Sequence, residues 1–453
     1  MTTIALDRPI SDDTLGHPKG LWVLAGTEIW DRVSFYGMQA LLVLYMVGAL
    51  LLPGRIEHIA GFSVFRRAIE AVTGPLSVQA LATQIFGLYI GMVTLTPLLG
   101  GILGDRWLGR RRAIVIGALL MTAGHFCMAF DQSFLAALAL IVLGCGFLRG
   151  NVAPQIGDLY DREDRRRDTA FQIYGAVINF GAFIAPIITG ALGAAWGWHV
   201  GFGFAGFGML IGLVVYLSGQ RLLPPERPRG PRAPRAALSA GDGRIIGFLL
   251  VLAPVVALFW VAQSQVWNTY NLWARDHVEL NLGGFQVPVP WLQSLDGLAP
   301  FLLVPPVLAL WRFQSKHGRE PDEFAKCAIG CFIFAGATLI LAASQFVVDG
   351  AGRTPIFMAV LFHLTSNLGW VYFAPTVTAL YSRLAPARVN ATLIAVSQIA
   401  VTLGSLTSGR LGALYERLPV SEFWALHAAS AALGGVLMLA FGLYVRRRAR
   451  SLA

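Results

Sequence analysis

Polar residues along this chain fall in clusters, and the stretches between them are almost unbroken apolar runs. A bilayer core takes about 20 apolar residues per helix, so runs of that length predict membrane spans. Six are predicted near 20–46, 81–104, 112–130, 133–157, 169–194 and 198–219. Six more follow near 245–272, 291–311, 325–347, 354–380, 389–412 and 422–445. One long polar break, 221–244, separates the two sets with five prolines and six arginines. Prolines at that density exclude a continuous helix, and the arginines keep the segment in water. The chain therefore divides into a six-helix bundle over 1–220, a linker over 221–244 and a second six-helix bundle over 245–453.

Composition agrees with the pattern. Of 453 residues, 56% are hydrophobic and 13% charged, about half the charge that a soluble surface carries. The net charge of +10 would suggest a nucleic-acid partner in a polar protein, but its placement argues otherwise. Twenty-six Lys and Arg fall at the two ends and in the even-numbered loops, against seven in the odd-numbered ones. By the positive-inside rule this places both termini and the linker in the cytoplasm of a multi-pass protein of the plasma (inner) membrane, with no nucleic acid as partner. The first nineteen residues lack the basic-then-apolar order of a cleaved signal peptide. The four cysteines lie inside apolar stretches without metal-ligand spacing. No nucleophile–base pairing or phosphate loop stands out, so neither an enzyme nor a cofactor is expected.

Two motifs carry chemistry. The loop after the second span reads Gly100-Gly101-Ile102-Leu103-Gly104-Asp105-Arg106-Trp107-Leu108-Gly109-Arg110-Arg111-Arg112. Its small residues permit close helix approach. Asp105, Arg106 and Arg110 are expected to form a charge relay with a helix end of the other bundle. In the first span, Glu28, Asp31 and Arg32 sit at i, i+3 and i+4, on one helical face. Ionisable groups inside a span are expensive and mark ion or proton pathways. These three are the candidate proton-coupling residues. Arg149, in the fourth span, offers a planar cationic fork suited to a carboxylate or phosphate.

The two bundles about a basic linker and the Gly100–Arg112 loop resemble the major facilitator architecture, an all-α membrane fold of twelve transmembrane helices. The first span resembles, more narrowly, the proton-dependent oligopeptide transporter (POT/PTR) family, whose first helix reads E-x-x-E-R-F-x-Y-Y-G-M-R-A-L-L-V-L-Y. Tyr36-Gly37-Met38-Gln39-Ala40-Leu41-Leu42-Val43-Leu44-Tyr45 continues that match. Arg149-Gly150-Asn151 is similar to its K-p-N, and Tyr174 to Asn179 to part of its fifth-span motif. The resemblance implies alternating access, a proton as coupling ion, a peptide or other small molecule as substrate, and a midplane pocket. It implies that Tyr36, Gln39, Arg149, Asn179, Ser264 and Trp370 are substrate-binding positions, and Trp260, Gln263 and Trp267, at roughly helical spacing on the seventh span, are further candidates to line the pocket.

The chain departs from the family at several of these positions, which marks it as a divergent member. The second acid of the first helix is Asp31; an arginine that helps hold a peptide carboxylate is Gln39; a cavity tyrosine is Thr94. The seventh-span acid is Ser264, and the tenth-span acid that receives a peptide's amino terminus is Trp370. An unpartnered buried charge costs about 3–5 kcal/mol, so ordinary dipeptides are expected to bind weakly, with Asp296 the sole compensating acid in the second half's spans. The pattern leaves open a symporter with an altered pocket, a carrier of an anionic or bulky aromatic solute, and a transport-inactive receptor or scaffold. Asp158 and Asp296 are secondary gating candidates. His125 and His363 are expected to be hydrogen-bonded core residues, and Trp273 a packing or interfacial one.

Overall fold

The structure, a computed structural model, describes residues 13–161, 163–226, 240–386 and 390–450. The polar first twelve residues and the Pro/Arg-rich part of the linker, 227–239, lie outside them. Fourteen α-helices account for nearly all the described secondary structure. The N-terminal group is α1 (Lys19–Tyr45), α2 (Phe62–Thr73), α3 (Val78–Leu103), α4 (Arg110–Cys127), α5 (Phe134–Gly157), α6 (Arg166–Trp196) and α7 (Trp198–Ser218). The C-terminal group is α8 (Ala240–Gln263), α9 (Thr269–His277), α10 (Pro290–Lys316), α11 (Glu323–Ala343), α12 (Ile356–Leu384), α13 (Asn390–Gly412) and α14 (Val420–Arg450).

Eleven of the twelve predicted spans each correspond to one helix. Ten helices among the described residues are long and apolar enough to cross a membrane by themselves. The helices at the third and eleventh predicted spans, α4 and α13, are not among the ten; α4 has only 18 residues and opens on Arg110, Arg111 and Arg112. Prolines sit inside α3, α5, α6, α8, α10 and α12, which membrane helices tolerate because neighbours satisfy the freed carbonyls.

Two features escape the hydropathy pattern. α2 lies between the first two spans, with Phe62, Phe65, Ile69 and Val72 set against Arg66, Arg67 and Glu70. It is amphipathic and too short to span. The seventh predicted span, 245–272, is not one helix. α8 ends at Gln263, a 3₁₀ turn covers Ser264–Trp267, and α9 begins at Thr269. Side chains hold the break open. Gln293 of α10 donates to the Val266 carbonyl at 2.6 Å, Gln265 donates to the Ser408 carbonyl at 2.9 Å, and Thr269 donates to Gln265 at 2.7 Å. Backbone freed inside a membrane must find such partners.

The two helix groups meet along the half of the molecule away from the Gly100–Arg112 loop. There α3 lies against α13 and α6 against α10. A Cβ on Gly87 would sit 2.6 Å from the Ser405 carbonyl oxygen and 2.7 Å from the Gly409 Cα, so glycine permits backbone contact across the seam. Trp291 of α10 donates its indole N–H to the Ile187 carbonyl of α6 at 3.0 Å. Gln79 of α3 donates to the Gly412 carbonyl at 3.0 Å, and the Ser77 hydroxyl donates to Glu416. These contacts seal that end.

Candidate functional site

The first-span charges form the centre of a buried cluster. Glu28 and Asp31 are fully buried, and Arg32 nearly so. Arg32 donates Nε–H to Glu28 Oε1 at 2.7 Å, with Nη2 at 2.6 Å from the same oxygen. Its Nε is 3.5 Å from Asp31. Arg149 closes the cluster from α5: its Nε donates to Asp31 Oδ2 at 3.0 Å and its Nη2 to Oδ1 at 3.3 Å. This two-point grip is the geometry that a guanidinium and a carboxylate favour. The guanidinium lies 4.0 Å above the Phe35 ring. Two carboxylates and two guanidiniums thus neutralise one another inside the helices, which lowers the cost of burying each.

Local sequence explains how Arg149 reaches α1. A Cβ on Gly150 would come within 2.4 Å of the Pro97 carbonyl oxygen, so glycine brings α5 onto α3. Asn151 donates to the Gly100 carbonyl at 3.1 Å, fixing the register. Arg149 then points away from that contact. Sequence reading assigned Arg149 to an anionic solute; here its fork is occupied by Asp31.

A cavity of about 100 Å³ opens between the helix groups, lined by Tyr36, Asn179, Gln263, Trp267, Trp370 and Asp296 among others. Tyr36 of α1 and Trp267 pack against each other on its lining, with ring centroids 5.4 Å apart. Asn179 is oriented by donating to the Gly175 carbonyl at 3.1 Å. Five of the expected pocket residues therefore converge. The others do not line it. Gln39 is buried in α1, the Ser264 hydroxyl pairs with that of Ser405 at 3.0 Å, and Trp260 packs against Phe259 and Gly404. Trp273 and Tyr270 are fully buried, as packing residues should be.

Asp296, a secondary gating candidate from the sequence, lies at the cavity. It lies one helix away from Trp370, accepts from His363 Nδ1 at 2.7 Å and from Asn367 Nδ2 at 2.8 Å, and reaches the cavity wall. The available signal was an aspartate inside an apolar run opposite a histidine in another. His363 is hydrogen-bonded as expected, whereas neither ring nitrogen of His125 finds a partner among the described residues.

At the opposite end from the seal, Arg110 bridges Asp105 at 3.0 Å and Asp158. Arg106 is exposed and joins no ion pair among the described residues. The expected relay to the other bundle is thus drawn inside the N-terminal helices, with Asp158 as a member. Arg111 donates to the carbonyls of Leu223 and Pro224 at 2.6 and 2.7 Å, pinning the start of the linker to this loop.

Paired helix groups with a sealed seam, a buried charge cluster and a cavity between the groups are the arrangement of a membrane transporter of the major facilitator fold. The family model described as "PTR2: POT family" matches residues 111–238 and 241–428, and the chain belongs to that family, the proton-dependent oligopeptide transporters. Peptide transporter YePEPT of Yersinia enterocolitica is 29% identical, with 88% of each chain covered. A di-/tripeptide transporter of Lactococcus lactis subsp. cremoris is 26% identical over 94% of this chain and 95% of its own. A crystal structure of the peptide transporter POT in complex with sulfate superposes with a TM-score of 0.81 at 26% identity, covering 96% of both chains.

Proposed function

We propose that this protein is a proton-coupled symporter of small peptide-like solutes, with Asp31 as the carboxylate that takes the proton. The observation that carries the reading is the two-point Asp31–Arg149 pair. A proton on Asp31 removes the charge that holds the guanidinium. The freed fork then takes a carboxylate of the solute, because an unpaired guanidinium at membrane depth is costly. Proton and solute anion thus arrive together, which is the requirement for symport. Glu28 keeps Arg32 engaged meanwhile and prevents it from replacing Arg149 on Asp31. Similarity to the peptide carriers named above supports a peptide-like substrate. The loop charges support an inner-membrane orientation with both termini cytoplasmic and the sealed end outward.

Proteoliposomes test the coupling. Asp31→Asn is expected to abolish accumulation of labelled dipeptide driven by an imposed pH gradient, while counterflow exchange persists in part. Wild-type accumulation in that variant would overturn the assignment.

A further inference from the structure

The cavity's lining holds one carboxylate, Asp296, and neither lysine nor arginine. Its surroundings are built rather than incidental. His363 and Asn367 lie one turn apart on α12, on one helical face, and both direct hydrogen bonds to the same oxygen, Oδ1. A carboxylate only accepts, so His363 donates from Nδ1. Oδ2 has no partner among the described residues, and the Asp296 side chain keeps 13% exposure while His363 is fully buried. Trp267, Trp370 and Tyr36 are also in the lining and offer aromatic faces to a cation.

We infer that Asp296 is the cavity's anchor for a protonated amine of the solute, held in place by His363 and Asn367. An ammonium leaving water for this space needs a carboxylate partner, and Trp370 cannot supply one. Asp296 does so from α10. The inference deepens the symport reading and rests on it in one respect: the cavity is the solute's. A zwitterion then spans the two helix groups, its amine on Asp296 and its carboxylate on the guanidinium that Asp31 releases. His363 acts as a positioning residue, since it touches the carboxylate and not the solute.

Calorimetric titration of the purified full chain with phenylalanyl-alanine and with its N-acetyl derivative tests this without a pH gradient. Both probes carry the same carboxylate, so their affinity ratio reports on the amine contact and not on whether Asp31 couples transport. Wild type is expected to bind the free amine at least about tenfold more tightly than the acetylated form, the scale of one charge-assisted contact. Asp296→Asn should bring the two within about twofold, Asp296→Glu should restore part of the preference, and His363→Gln should reduce it without abolishing it. Equal affinities in wild type, no detectable binding of either probe, or a preference that survives Asp296→Asn would overturn the inference. If Asp296→Asn fails to fold, the wild-type ratio and Asp296→Glu still decide.

Discussion

Removing Arg149 separates the energetics of the buried cluster from its role in transport. Arg149→Ala leaves Asp31 with Arg32 as its remaining neighbour at 3.5 Å, and Arg32 is already committed to Glu28 at 2.6 Å. Unit charges 3.0 Å apart attract by about 5 kcal/mol at an effective dielectric near 20. Desolvation of both ions offsets part of that, and the contact with Phe35 adds about 0.5–1 kcal/mol. A loss of about 3 kcal/mol is expected for Arg149→Ala, chiefly from the uncompensated carboxylate. Asp31→Asn in the same background removes that carboxylate's charge and should recover much of the loss. The double-mutant cycle should therefore show a coupling of about 2–4 kcal/mol. Arg149→Lys keeps the charge but not the fork and should fall between. The assay is reversible unfolding in mixed micelles of dodecyl maltoside and sodium dodecyl sulfate. Additivity of the two single variants within about 0.5 kcal/mol would refute the pair as an energetic unit, and with it the premise that a proton on Asp31 releases anything.

Two further outcomes follow from other parts of the molecule. Gly87→Val puts side-chain atoms where Ser405 and Gly409 backbone now lie, so the seam should part; a cysteine pair across α3 and α13 should cross-link at least several-fold less in that variant, and unchanged cross-linking would contradict the packing argument. At the sealed end, burial works to raise the Asp131 carboxyl, but the Tyr45 hydroxyl and Arg55 outweigh it and hold the carboxyl below its usual range. Stability from a depressed carboxyl is full above the unfolded value near pH 4 and is lost as pH falls through the folded value. Asp131→Asn should cost about 1 kcal/mol at pH 7, a modest figure because its partner Arg55 is 40% exposed, and the difference from wild type in thermal unfolding should shrink steadily as pH falls below about 4.

Hydropathy determined the spanning helices other than the broken α8–α9 pair, because about 20 consecutive apolar residues have few folds open to them besides a span. It determined the charge cluster's first three members too, since Glu28, Asp31 and Arg32 share one helix and their spacing fixes their common face. Arg149 was legible as an intramembrane cation, but its partner was not. The pairing with Asp31 depends on the depth at which α5 crosses α1, which Gly150 and Asn151 set through contacts to α3. The pocket was legible in the same partial way. Tyr36, Asn179, Gln263, Trp267 and Trp370 were named from motifs, yet Trp260, Gln39 and Ser264 turn elsewhere. Hydropathy could not register the break after Gln263, because Gln293, which satisfies the freed Val266 carbonyl, comes from α10, and the Ser408 carbonyl that Gln265 binds comes from α13. Asp296 shows the division most plainly. An aspartate in an apolar run is visible in any sequence, but whether it staples two helices or faces a cavity is decided by what packs around it. Here His363 and Asn367 take one oxygen, and tertiary packing leaves the other at the wall.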